Sequence, residues 1–306
     1  MPTTTRARLL DARAPLRMKV QIIQVPYDSG NRSLRMGGGP EHFVRNGVGQ
    51  TLRDCGFDVD IDCIEAQSPF RAEIKTAFEL YRTLAVRVGA AYADGIFPLV
   101  LSGNCNSSLG TVAGIGSDQL GIIWFDGHGD FNTPETTESG FLDGMGLATA
   151  AGLCWKKMSA SIPNFKPISG KNILHVGGRD FYPEERALFE QAGGTIVGSD
   201  VIGRSSMRQA LEPALEVLGK RVSRIYLHFD LDVLDPGAAP ANEFAAPDGL
   251  TLAQVEEAIG MIGRRFTICA GAIASYDPLY DRKDEVLDAG VTIMKSILTS
   301  VRQGRA

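Results

Sequence analysis

Short runs of apolar, β-branched residues recur along the chain, with more polar stretches between them. They are VQIIQV (20–25), FDVDIDC (57–63), FPLVLS (97–102), LGIIWF (120–125), NILHV (172–176), RIYLHF (224–229) and TICAGAIA (267–274). Several are apolar at every position rather than at alternate ones. That is the pattern of strands covered on both faces, as in a parallel sheet. Four intervening stretches, 73–94, 206–219, 251–263 and 286–302, space their apolar residues at helical period instead. Thr251 stands where an N-cap would stand for the third of these. Strands alternating with helices predict βαβ units and a doubly wound α/β fold. No repeat, low-complexity segment or Pro/Ser-rich linker interrupts the alternation. Residues 18–306 are therefore expected to form one domain, and 1–17 a disordered leader ahead of the first strand.

Composition narrows the class. Hydrophobic residues make up 44% and charged residues 22% of 306, which suits a globular chain with an ordinary core. The net charge of −5 argues against nucleic acid as a partner. The N-terminus is basic but lacks the apolar core of a signal peptide. No apolar run approaches the ~20 residues of a membrane span. The five cysteines are odd in number and include no CxxC pair, so neither a disulfide framework nor a zinc knuckle is indicated. A soluble cytoplasmic protein is the expectation.

Two polar clusters directly follow predicted strands. One is Asp126-Gly127-His128-Gly129-Asp130, and the other contains Asp230-Leu231-Asp232. Ligand sites of open α/β sheets lie at the carboxyl ends of strands, so both are well placed. Asp126, His128 and Asp130 are spaced i, i+2, i+4, and in an extended segment all three would point to one face. Four carboxylates beside an apolar sheet need cations, or their mutual repulsion forces protonation. Oxygen donors with one imidazole suit Mn²⁺ or Mg²⁺. Four carboxylates are better accommodated by a pair of ions ~3.5–4 Å apart than by one. An Asp-x-Asp at a strand end also caps turns, and Asp235-Pro236 reads as such a turn.

These residues resemble the arginase (ureohydrolase) family, which includes agmatinase and formimidoylglutamase. The family's DAHxD motif is similar to Asp126–Asp130, and its SFDxDxxDP motif to His228–Pro236. Its glycine-rich turn resembles Met36–His42, and the arginase substrate loop NTPxTTxSGxxHG resembles Asn132–Gly144. The resemblance runs from about residue 20 to the C-terminus. It implies a three-layer αβα sandwich with one mostly parallel sheet, two Mn²⁺ per chain, a small-molecule substrate and a homo-oligomer, trimer or hexamer. It implies that Asp126 and Asp230 bridge the ions, that His128 and Asp232 complete one, and that Asp130 helps hold the other and orients the attacking water. It further implies that Asn132, Thr137 and Ser139 hold a substrate α-carboxylate.

Four positions depart from the family's pattern. GGDHS is matched by Ser102-Gly103-Asn104-Cys105-Asn106, so Cys105 stands where a histidine ligand is expected. Weak coordination and inert packing stand level as readings of Cys105, with a nucleophilic thiol behind them; thiolate suits Mn²⁺ less than imidazole does. Asp143 occupies the loop histidine's position, where it would shuttle protons or meet a cation. Ser275 replaces the glutamate of EVNP, with Asp277 two residues on as a substitute or a turn cap. Tyr182 replaces an aspartate that contacts the substrate amino group, with Glu184 or Glu185 as substitutes. His42, His175 and His228 read as packing or supporting residues. The chain is thus expected to be a manganese-dependent hydrolase of a linear C–N bond in a guanidino or amidino compound. A modified arginine such as N-hydroxy-arginine is expected rather than arginine itself, with the ion beside Cys105 weak or absent. The competing reading is a metal-depleted, non-catalytic arginase-like binding or regulatory protein.

Overall fold

Eight parallel strands form one sheet at the centre of the computed structural model, which describes residues 17–69, 72–237 and 240–305. The leader expected over 1–17 lies, apart from Arg17, outside the described residues. The strands are β1 (Lys19–Val25), β2 (Asp58–Cys63), β3 (Phe97–Ser102), β4 (Leu120–Phe125), β5 (Ile173–Val176), β6 (Thr195–Val197), β7 (Arg224–Asp230) and β8 (Thr267–Ala274). Their order across the sheet is β2-β1-β3-β8-β7-β4-β5-β6. Six described helices reach eight residues: α1 (Glu73–Ala93), α2 (Ser108–Ile115), α3 (Pro183–Gln191), α4 (Met207–Gly219), α5 (Leu252–Arg265) and α6 (Glu285–Gly304).

Every strand but the edge strand β2 sends side chains into two separate cores. Ile22, Leu99, Leu101, Ile123, Phe125, Leu227 and Phe229 pack with α4, α5 and α6 on one face. Ile23, Val100, Ile122, Trp124 and Tyr226 pack with α1 and α2 on the other. This is the three-layer αβα arrangement. β3 and β4 are buried at every position, which explains their unbroken apolar sequence. The edge strand β2 instead carries Asp58, Asp60 and Asp62.

The seven strands read from sequence all form, with ends within one residue. β6 escaped notice because it is three residues long, too short to show a period. Helix α2 was missed for the opposite reason. It is buried on nearly every side, so its sequence SLGTVAGI carries no polar stripe. Thr251 does cap α5: its Oγ1 accepts from Gln254 N at 3.3 Å, and Gln254 Oε1 accepts from Thr251 N at 2.8 Å.

Helices α1 and α2 approach through small residues. A Cβ added at Gly114 would lie 2.7 Å from Val88 Cβ and 2.8 Å from Ala85 O. Alanine is favoured over glycine in a helix by roughly 0.5–1 kcal/mol, but overpacking costs about 1–3 kcal/mol. Because one neighbour is backbone, overpacking wins. Gly114→Ala should lower the urea midpoint with an unchanged slope, a net loss of about 1–2 kcal/mol. A midpoint equal to or above that of the parent protein would show that the helices can separate freely.

Candidate metal centre

The carboxyl ends of β3, β8, β7 and β4 open onto one cavity of about 450 Å³. These four strands are adjacent at the middle of the sheet. The short turn after β3 carries Cys105, the segment after β4 carries Asp126, His128 and Asp130, β7 ends on Asp230 with Asp232 just beyond, and Ser275 follows β8. His128, Asp130, Asp230, Asp232 and Ser275 line the cavity, together with Asn132, Thr137, Ser139 and Asp143. Ligand atoms of Asp126, His128 and Asp232 lie within 4.8 Å of one another, and so do those of Cys105, Asp126 and Asp130. Asp126 belongs to both groups.

The convergence does not come from regular extension. Asp130 adopts a left-handed conformation (φ 51°), and Leu231–Val233 turn as a single 3-10 helix. Chains leaving strand ends must bend, and the carboxylates hold the bends. Asp126 Oδ1 accepts from His128 N at 2.7 Å, and Asp230 Oδ1 accepts from Asp232 N at 2.8 Å. Trp124 Nε1 donates to Asp126 Oδ2 at 2.9 Å. Gly127 N donates to Asp232 Oδ1 at 3.2 Å. The same aspartates therefore cap turns and present their remaining lone pairs to the cavity.

Burial makes this arrangement electrostatically costly. Burial first, and then the charge of Asp126, push Asp130 well above the usual carboxylate range. Burial and Asp232 do the same to Asp230, and burial followed by Asp232 raises Asp126. Burial alone would lower His128, but Asp232 and Asp126 hold its imidazolium well above the ordinary range. Its Nδ1 lies 3.2 Å from Asp232 Oδ2. Burial would raise Asp232 too, and His128 overcomes it to hold Asp232 below its usual range.

The two donor groups differ in fit. Asp126, His128 and Asp232 offer hard oxygens and an imidazole, which suits a divalent ion such as Mn²⁺. The other group includes Cys105, which is 1% exposed. Its Sγ donates to Asp230 Oδ2 at 3.1 Å and lies 3.3 Å from Ser275 Oγ. Burial and the facing Asp230 push this thiol well up, so it is a neutral donor and a poor ligand for a hard ion. The raised thiol and its donation to Asp230 work against a nucleophilic role for Cys105, which needs a lowered pKa.

The other candidates separate clearly. Asp277 Oδ1 accepts from Leu279 N at 3.0 Å, and the side chain does not line the cavity. It caps a turn and is no substitute at position 275. Glu184 is exposed on α3, whereas Glu185 is buried and lines the cavity. Glu185 Oε1 accepts from Phe131 N at 2.8 Å and Oε2 from Tyr182 N at 3.2 Å. Tyr182 is half-exposed at the mouth. His228 stacks on Trp124 with ring centroids 3.7 Å apart. His175 packs between Phe181 and Phe189, and burial lowers it to about 3. Asp235 caps its turn, accepting from Gly237 N at 2.9 Å.

The sequence Arginase family model matches residues 18–299. The chain belongs to the arginase family. The arginase of Bacillus caldovelox is 28% identical over 293 residues, covering 91% of this chain and 97% of that one. Its structure matches with a TM-score of 0.84 over 92% and 98% of the two chains. The arginase of Bacillus subtilis (strain 168) is 28% identical over 292 residues, covering 91% and 97%. Formimidoylglutamase from Bacillus subtilis subsp. subtilis, at 20% identity, shares the fold, with a TM-score of 0.74 over 94% and 89%. The arginase family comprises metal-dependent ureohydrolase enzymes, and this chain is one of them. No described helix is long and apolar enough to cross a membrane.

Against that family pattern, sequence reasoning missed Asn242, Arg179 and Arg35. Asn242 Nδ2 donates to Asp232 Oδ2 at 3.3 Å and to Ser275 O at 2.9 Å. Arg179 Nη2 donates to Asp232 O at 2.6 Å and to Ala246 O at 2.7 Å, bracing the turn after β7. Neither residue lies in a motif, and nothing in their local sequence marks them. Arg35 lines the cavity immediately before the glycine-rich turn Met36–His42.

Two predictions follow from the electrostatics. Asp126, Asp130, Asp230 and His128 are all raised on folding, so the metal-free folded state binds more protons than the unfolded one. Stability then falls as pH rises from about 4 upward. Asp232 is lowered and acts oppositely, losing its contribution as pH falls below that value. His175 and His228, lowered to about 3 by burial, also act oppositely, but their contribution is nearly complete above the unfolded histidine value of about 6.5. Beyond it the raised groups, Asp143 among them, dominate, so metal-free protein should melt at lower temperature at pH 8 than at about pH 6.5. Mn²⁺ at 100-fold over its Kd should raise the pH 8 midpoint, adding about 2.7 kcal/mol of stability. Melting that is indifferent to both pH and metal would contradict the charge cluster. The second prediction concerns Cys105→His, which supplies the missing imidazole. It should increase Mn²⁺ bound per chain on elemental analysis; unchanged stoichiometry and affinity would show that the thiol is not limiting.

Proposed function

We propose that this ureohydrolase cleaves a guanidino C–N bond in a modified arginine, N-hydroxy-arginine being the leading candidate, rather than in arginine itself. The observation that carries the reading is Ser275. It lines the cavity at the position of the family's glutamate, 3.3 Å from the Cys105 sulfur. A serine can hydrogen-bond a guanidinium but cannot neutralise one. Arginine's guanidinium stays protonated at neutral pH. An N-hydroxyguanidine is less basic and needs less opposing charge.

Asp126, His128, Asp130, Asp230 and Asp232 would hold two Mn²⁺ ions, with His128 and Asp232 at the better site and Asp130 and Cys105 beside the weaker one. Bound there, the ions supply a Lewis acid and lower the pKa of water for attack on the planar carbon. Asp130 then orients the attacking water. Asp143 is the acid–base group for the leaving nitrogen; burial raises it well above the usual carboxylate range, the direction a proton-carrying carboxyl requires.

The loop after Asp130 supports an amino-acid framework. Thr137 Oγ1 accepts from Gly140 N at 3.0 Å, and Ser139 Oγ accepts from Phe141 N at 3.1 Å. Asn132 Oδ1 accepts from Thr136 Oγ1 at 3.0 Å. With their acceptor sides engaged by the loop, both hydroxyl hydrogens and the Asn132 amide remain to donate. Three donors on one wall of the cavity suit a carboxylate.

Removing one partner of a buried charge pair costs about 3–5 kcal/mol, or roughly 10²–10⁴-fold. With Mn²⁺ loaded, kcat/KM for arginine should fall at least about 10²-fold below that for N-hydroxy-arginine. Ser275→Glu should narrow the gap. Equal turnover of the two substrates would overturn the assignment. A second reading, a metal-depleted binding protein, is favoured by the Cys105 thiol donating to Asp230. It requires that purified protein hold no Mn²⁺ and release no urea.

A further inference from the structure

Asp143 does not stand alone on the cavity wall. Its Oδ2 accepts from Asn104 Nδ2 at 2.8 Å and its Oδ1 from Asn106 N at 2.9 Å. Asn104 is itself 8% exposed and has a fixed amide orientation. Its Oδ1 accepts from Ser29 N at 2.9 Å, so the carbonyl oxygen must face the β1 side. Its Nδ2 then faces two carboxylates at once, Asp143 and, at 3.3 Å, Oδ1 of the fully buried Asp28. Asp28 is closed on its other side by Arg35, whose Nε and Nη2 donate to its two oxygens at 2.9 Å each. A continuous hydrogen-bonded path thus leaves the cavity at Asp143, passes through Asn104 and Asp28, and returns to the cavity at Arg35.

The charge count along that path decides what position 104 can be. Arg35 answers Asp28 with a forked pair, which is the strong geometry for guanidinium and carboxylate. Asp143 has no cation of its own among these contacts and is held by two neutral N–H donors. A carboxylate at 104 would set three acids side by side against one arginine, with no donor left between them. An amide supplies the donor to both neighbours and adds no charge. The family motif matched here carries aspartate at 104 and histidine at 143; this chain carries asparagine and aspartate. The two exchanges are chemically complementary, and the 2.8 Å contact makes them one unit.

We infer that Asn104 is a positioning residue: its amide both permits a carboxylate at 143 and aims that carboxylate at the substrate's leaving nitrogen. The inference rests on the proposed hydrolase reading for its kinetic part only. It makes Asn104 and Asp143 a joint determinant of which leaving group the cavity serves. Arg35 and Asp28 act behind them as the anchor that stops the amide from rotating.

The test is a charge-relocation cycle with Asn104→Asp, Asp143→Asn and the double variant, measured by thermal unfolding of the full chain. Asn104→Asp should lower Tm more than Asp143→Asn. The double variant restores one carboxylate and one amide donor, and should recover at least half of the Tm lost by Asn104→Asp. It should nevertheless stay inactive, because the carboxylate then sits one residue away from the wall. Asn104→Ala should lower kcat about 10-fold or more, a part of the roughly 10²–10⁴-fold that a placed acid–base group contributes, with KM within about threefold and bound Mn²⁺ unchanged. A double variant no more stable than Asn104→Asp would overturn the pairing. Activity returning together with stability, or loss of Mn²⁺ from Asn104→Ala, would overturn the positioning role. A wild-type protein inactive on every guanidino compound would sink the hydrolase reading, while the Tm cycle would still decide whether the two residues are coupled.

Discussion

Like charges forced together at the middle of an apolar sheet are the constraint around which this molecule is organised. Asp126, Asp130, Asp230 and Asp232 are each at most 8% exposed, and one imidazole, His128, lies among them. Such a group is tolerable only if cations join it or protons neutralise it. The surrounding fold supplies what it can. Backbone amides of Gly127, His128 and Asp232, the Trp124 indole and the Asn242 amide all donate to these carboxylates. All of these donors but Asn242 come from a strand or from a turn that a carboxylate itself closes. The site and the turns that build it are therefore the same set of bonds, and neither can be changed without the other.

Much of this was legible in the sequence because the fold repeats one simple unit. Unbroken apolar runs such as FPLVLS and LGIIWF announce strands covered on both faces, and their ends announce where ligands gather. The two aspartate clusters were visible because they follow those runs directly. The reason they converge was less visible. Regular extension would have aligned them, but the observed alignment comes from the left-handed Asp130 and the 3-10 turn at Leu231–Val233. Side chains that reach the site from distant loops stayed hidden. Arg179 braces Asp232 from the segment after β5, and Asn242 from the long connection after β7. A sequence records spacing along the chain, and these residues act only through proximity in space.

Cys105 and Ser275 show how departures from a motif can compensate one another. Both are buried, small and uncharged, and they touch. A histidine ligand and a glutamate would fill the same corner with two larger, ionisable groups. The exchange leaves a compact pair that adds no charge to an already acidic cavity. Asn104 and Asp143 do the reverse, moving a negative charge from one position to its neighbour while keeping the total constant. The cavity floor has thus lost charge, while its wall has kept it.

The borders of the sheet carry a consequence of their own. β2, on one side, presents Asp58, Asp60 and Asp62 along its free margin, and β6, on the other, is only three residues long. Neither offers the long, neutral row of unpaired amides and carbonyls onto which another strand could build. Two copies brought margin to margin would oppose three acids with three more. Both borders therefore work against growth by strand addition, the route by which a chain this rich in β-branched apolar runs would otherwise build fibres.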